Sequence, residues 1–407
     1  MPTDSAQLPH IDIDPADGQF FQNPADGYAR MHALQSPFVW KAYGHVCYAS
    51  FDAVSQLLRD RRFGREMPTE LRTQPPDHLR PFYDFEQHSM LELEPPTHTR
   101  LRRLVNRAFV SRQIAGLEPW LEQLAQRLLD DIEAGDGPFD LLSMFAEPIP
   151  VLAIARLLGV PGADADKLLA WSHAMVAMYQ FGRSRDIEDA AVKATQDFSS
   201  YISDIAEKRR ADPQDDLISM LAHTVDADDG AKLSREELVT TAILLLNAGH
   251  EATVHAISNG TKALLAHGTS QHLQDAGSDA VCEELLRFDA PLHMFTRFAL
   301  ENCEFDGLRF QRGQTVGLLL GAANCDPQRF ERAYEFWPER PDGSHVSFGG
   351  GIHFCIGAPL ARMELKIALP ALFDRFPGLR LTEGPRYADR YHFHGLERLM
   401  LTKDGGH

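Results

Sequence analysis

The string FGGGIHFCIGAPLAR, residues 348–362, holds the densest chemistry in the sequence. Three successive glycines let a backbone lie flat and close against a planar ligand, because no Cβ holds it away. Cys355 follows at the start of a helical run, where free backbone N–H groups and the helix dipole favour a thiolate. The thiolate is the form of cysteine that attacks electrophiles and binds metals. A lone cysteine after a glycine turn is ordinarily an inert core residue. Here Phe348, Gly351, His353 and Gly357 must be explained together with it.

The stretch NAGHEAT, residues 247–253, interrupts an aliphatic segment with Gly249, Glu251 and Thr253. An acid in contact with solvent and a nearby hydroxyl can pass protons to a reacting oxygen. The plainer alternative is a helix-interior threonine bonding back to its own backbone. In EPPTHTRLRRLVNRAF, residues 94–109, His98 and Arg102 are four apart and share a helix face, which Val105 and Phe109 continue. Arg100, Arg103 and Arg107 fall on roughly the opposite side. Glu284 and Arg287 in EELLR have i,i+3 spacing and can form an ion pair, although that spacing is too common to carry weight alone.

Long helices are needed to hold these groups. The pattern predicts helices over about 97–109, 113–134, 143–158, 164–178, 186–210, 234–267 and 278–288, with a last one beginning near 355. Strand-like runs at 38–43 and 45–50 meet at Gly44, and further short strands surround 294–300, 305–318 and the carboxyl end. The segment 66–96, rich in proline and aromatics, reads as a long functional loop. Ser234 and Glu237 form a capping box for the helix 234–267, and Gly268 closes it. That helix would run roughly 50 Å, enough to cross a domain. No repeat or linker divides the chain. The expectation is a single mainly α domain with a small β region, spanning residues 1–407.

Phe348, Gly351, His353, Cys355 and Gly357 match the signature F-x-x-G-x-[HR]-x-C-x-G, and in this the sequence resembles the cytochrome P-450 superfamily. The resemblance implies the P-450 fold, with the long central helix over haem b (iron protoporphyrin IX). It implies Cys355 as the ligand to iron, Phe348 as a shield for the sulfur and His353 as a contact to a haem propionate. Thiolate ligation of haem iron favours O–O cleavage. AGHEAT is similar to the family's oxygen-activation motif, which implies Glu251 and Thr253 as the proton-delivering pair. By the same likeness Ala248 and Gly249 lie against the haem, with Gly249 leaving room for oxygen. His98 and Arg102, joined by Arg297 and His353, are implied as propionate ligands. Glu284, Arg287 and Arg340 correspond to the group that braces the cysteine side.

The implied activity is a monooxygenase inserting one atom of O2 into a hydrophobic or aromatic small molecule. The stretches implied to line the pocket carry Phe82, Met175, Met294 and Phe393, with His293 and Asn247 able to orient a polar group. Arg100, Arg103, Arg107 and Arg112, with Arg362 and Lys366, would form a basic patch steering an acidic iron–sulfur ferredoxin as electron donor. The formal net charge of −18 counts against a nucleic-acid-coating protein. Five scattered cysteines without a CxxC pair fit a reducing compartment. No secretory leader or membrane-length apolar run is visible, so the expected location is cytoplasmic. Two rival classes are a peroxide-driven haem peroxygenase and a non-catalytic haem-fold protein. The Glu251/Thr253 pair counts against the first, because peroxide brings its own protons and electrons. The second would be expected to have lost Cys355, the Glu284/Arg287 pair or Thr253.

Overall fold

The computed structural model describes residues 7–35, 37–108, 111–179, 183–225, 230–268, 273, 278–389 and 391–403. Its axis is the helix Arg235–His267, 33 residues long. The capping box forms in both directions. Glu237 N donates to Ser234 Oγ at 3.1 Å, and Ser234 N donates to Glu237 Oε2 at 2.8 Å. Gly268 ends the helix with φ 62°, a left-handed conformation that favours glycine. Apolar residues occur all round this central helix, so it is stable only inside a core. Helices Pro148–Leu158, Arg185–Ala211, Ser278–Phe288 and Ala358–Arg375 pack against it. One apolar cluster runs from Leu79 to Leu401 and joins these helices.

The β region lies to one side. Its six-stranded sheet has the order His10–Ile11, Phe38–Trp40, His45–Tyr48, Thr315–Leu318, Phe295–Ala299, Phe63–Gly64. The strands at 38–40 and 45–48 pair antiparallel across a turn at Gly44, as their alternation predicts. Arg297 is carried on the strand Phe295–Ala299, paired in register with Val316.

Three expectations change. The 66–96 segment is not bare loop: it forms the helix Arg80–Glu86, with proline in its first turn and Phe82 buried as its anchor. The helix expected from 143 starts as a π turn, Leu142–Ala146, and becomes α only at Pro148–Leu158, because a proline there donates no backbone hydrogen bond. The last helix begins at Ala358, so Cys355 lies in the loop before it. The side chains of Phe109 and Arg112 lie outside the described residues. Among the described residues, no helix is long and apolar enough to cross a membrane.

Candidate active site

Cys355 N donates to Phe348 O at 3.0 Å and closes the glycine turn. Gly351 is needed there twice over. Its φ is 65°, and a Cβ on it would lie 2.4 Å from Leu58 O. Phe348 packs beside Phe354 and under the Arg362 guanidinium, 4.5 Å from the ring centroid. Cys355 itself is exposed. Burial by the surrounding atoms pushes its thiol up; backbone N–H groups of Gly357 and Ala358, with Arg102 and Arg362, offset this only in part. The free thiolate anticipated from the helix start is therefore not what these surroundings favour. A bound metal ion would deprotonate the thiol outright.

Beside the loop, four cationic or titratable groups converge. Arg102 Nη2 donates to Phe354 O at 2.8 Å. The His98 and His353 rings lie 4.4 Å apart between centroids, and the buried Nδ1 of His98 has no hydrogen-bond partner. Burial, together with the charges of His353 and Arg102, depresses His98 to about 4, against the pull of Glu94. Arg297 is almost fully buried, and desolvation draws its guanidinium down to about 9. Thus the structure brings together His98, Arg102, Arg297 and His353, from three separate parts of the chain. It adds Glu94, which the sequence reading passed over. The Glu94 carboxylate accepts from His353 Nε2 at 3.1 Å and from Arg65 N at 2.7 Å, and is held below its ordinary value despite burial. Its only sequence signal is its place at the head of EPPTHTR.

The middle of the central helix supplies a second set. Ala248 is exposed, and Leu244, Ala252 and His255 are half-buried, so an accessible stripe crosses an otherwise buried helix. Glu251 is buried. Desolvation pushes its carboxyl up, yet His250, His255 and His173 bring it down to about 2. Thr253 Oγ1 lies 3.5 Å from Gly249 O, too long for a firm O–H···O bond. The hydroxyl is thus only loosely tied to its own backbone. Opposite it stands the fully buried Glu364, whose two carboxyl oxygens have no hydrogen-bond partner. Burial drives this acid well above the carboxylate range, with Thr253 pulling weakly the other way. Nothing in the local pattern of the helix Ala358–Arg375 marks Glu364. A Cβ on Gly249 would meet Ile154 Cγ1 at 3.4 Å, an ordinary contact with the helix Pro148–Leu158.

On the cysteine side Glu284 and Arg287 form a two-pronged pair at 2.7 and 2.8 Å. Arg287 also donates to the carbonyls of Asn324, Ala333 and Glu335. Arg340 reaches Glu284 Oε2 at 3.2 Å, the position anticipated for it. By contrast, His293 lines a separate recess with Lys262, Asp289 and Tyr387, one that includes none of Cys355, Ala248 or Thr253. The histidine is buried, bonded to Tyr28 Oη at 2.9 Å and stacked on His394 at 4.3 Å. Met294 likewise packs into the core around Trp40. The bridge Leu292–Phe393 does join the two stretches expected to meet at the pocket. The basic patch is smaller than expected. Arg100 turns to the capping-box residue Glu237, Arg362 pairs with Glu283, and Lys366 pairs with Asp279. Arg107 stays exposed and donates to Val225 O, with the half-buried Arg103 beside it.

The family model described as Cytochrome P450 matches residues 66–273 and 278–385. The P450 monooxygenase PikC of Streptomyces venezuelae is 36% identical over 398 residues, covering 94% of this chain and 90% of its own. The vitamin D(3) 25-hydroxylase of Pseudonocardia autotrophica is 38% identical over 403 residues, covering 95% of both chains. A solved structure of P450BioI in complex with acyl-ligated acyl carrier protein superposes with a TM-score of 0.87 at 32% identity, over 95% of this chain and 100% of that one. The chain belongs to the cytochrome P450 family. It is a P450 monooxygenase, and its cofactor is haem b. The residues fit that group. The reachable Cys355, the accessible Ala248/Ala252 stripe and the unpartnered His98 Nδ1 beside two arginines match a planar ring bearing carboxylates.

Proposed function

We propose that the whole chain, residues 1–407, works as one domain that inserts one oxygen atom from O2 into a hydrophobic or aromatic small molecule, with electrons delivered by a ferredoxin and its reductase. The observation that carries this reading is the glycine turn presenting an accessible Cys355 next to the His98–Arg102–Arg297–His353 cluster. Cys355 would be the metal ligand, with Phe348 covering the sulfur and Gly357 lending it a backbone N–H. His98, Arg102, Arg297 and His353 would hold the haem carboxylates. When bound, thiolate-ligated haem supplies O–O cleavage and oxygen-atom transfer. One oxygen atom enters the substrate and the other leaves as water, which requires proton delivery into a closed site. Glu251, ionised and buried against histidines, would carry those protons inward. Thr253, loosely tied to Gly249 O, can turn its hydroxyl to pass them on. Ala248 and the stripe it belongs to would leave room for substrate.

The donor would dock where Arg107 reaches the surface with Arg103 beside it. The absence of any disulfide among the five cysteines supports a cytoplasmic setting. Cys355→His tests the central assignment. The variant folds but loses product formation, and its reduced, carbonyl-bound spectrum loses the red-shifted thiolate band. Near wild-type product formation driven by reductant would overturn the reading.

A further inference from the structure

His173, His250 and Glu251 each offer one ligand atom, and these atoms all lie within 4.8 Å of one another. They come from two helices, Ala165–Val176 and the central helix. Glu251 Oε2 is 3.3 Å from His250 Nε2 and 3.6 Å from His173 Nε2. With bonds of about 2.0–2.1 Å, two ligands on a tetrahedral zinc ion stand roughly 3.3 Å apart. One edge already has that length, and the second is a few tenths of an ångström longer.

The orientation of His250 is an independent observation. Its Nδ1 bonds to Leu246 O at 2.9 Å, and because a carbonyl only accepts, Nδ1 carries the proton. In the neutral ring the lone pair therefore sits on Nε2. That atom is buried and points into the cluster, 3.3 Å from Glu251 Oε2. A backbone carbonyl fixing the far nitrogen is the usual arrangement for a metal-binding histidine. His173 is about half exposed, which provides an entry path for an ion. Glu147 on the neighbouring segment adds a further carboxylate to the surroundings.

We infer that His173, His250 and Glu251 form a site for a zinc-class divalent ion, with a fourth position open to water. A bound ion would clamp Glu251 and hold it away from proton transfer. The inhibitory consequence rests on the reading of Glu251 as the proton carrier; the binding itself does not.

The test is titration calorimetry of zinc into the haem-loaded full chain, compared with His173→Ala and Glu251→Gln. The expected result is a 1:1 site in the wild type, weakened about 10- to 100-fold in each variant. Equal affinity in all three proteins overturns the site. In parallel, product formed per reductant consumed is measured with and without zinc, each protein against its own metal-free value. Zinc should lower this ratio in the wild type and not in His173→Ala. Binding that depends on His173 and Glu251 with coupling unchanged would keep the site and remove Glu251 from proton delivery.

Discussion

Two buried polar constellations lie on opposite sides of the site, and they differ in how completely their groups are paired. In the brace on the cysteine side, Glu284 accepts from Arg287, Arg340 and Trp337 N, and Arg287 also reaches three carbonyls. Around the central helix, both oxygens of Glu364 on the neighbouring helix Ala358–Arg375 lack hydrogen-bond partners, and Thr253 is tied only at long range. Polar groups are costly to bury unpaired, so a saturated network holds a structure in place. A network left unsaturated keeps capacity for something that arrives later, such as a proton, a cation or a reacting oxygen. On the proposed reading the brace serves folding and the central helix serves the chemistry.

The comparison can be broken from either side. The largest effect is expected for Glu284→Ala, which leaves the fully buried Arg287 without its carboxylate. Removing one partner of a buried pair costs about 3–5 kcal/mol, read as a loss of unfolding free energy in a denaturant titration. An unchanged midpoint would show that the brace does not hold the cysteine side.

Thr253→Ala should leave stability nearly untouched and act on chemistry alone. Reductant consumption persists, while product per reductant falls by up to roughly 100-fold with peroxide appearing instead. Assaying product and peroxide together decides the matter, and unchanged coupling removes Thr253 from the relay.

Arg103 and Arg107 lie outside both networks. Changing both to Glu should slow ferredoxin-driven reduction roughly tenfold at low ionic strength, with the difference shrinking as salt rises. Stopped-flow reduction at two salt concentrations provides the measurement. A wild-type rate at low salt would reduce the patch to a solvated helix face.

The effect most dependent on pH belongs to Glu364→Gln. Burial raises Glu364 well above its ordinary value of 4.5. The folded acid keeps its proton while the unfolded one ionises, so the wild type loses stability as pH rises above about 4.5. Glutamine cannot ionise. The variant should match the wild type near pH 4 and gain on it steadily toward pH 8 in urea unfolding. Parallel stability curves would mean that Glu364 is not a neutral acid in the folded protein.

The local pattern carried much of this protein. Helix periodicity placed the central helix, and Ser234, Glu237 and Gly268 marked its ends, because caps and amphipathic faces depend on residues a few positions apart. The cysteine turn was legible for the same reason: glycines, Phe348 and Cys355 are contiguous, and Cys355 N closes on Phe348 O. Only the tertiary structure decided which distant groups meet. Arg340 finds Glu284 across 56 positions, and Glu94 finds His353 across 259. Glu364 comes to face Thr253, Arg100 turns to Glu237 and His293 turns to Tyr28. Residue type and spacing state what a side chain is able to do. Whether a charge is buried, and which partner settles its protonation, depends on surfaces brought together from remote parts of the chain, and local spacing carries no record of them.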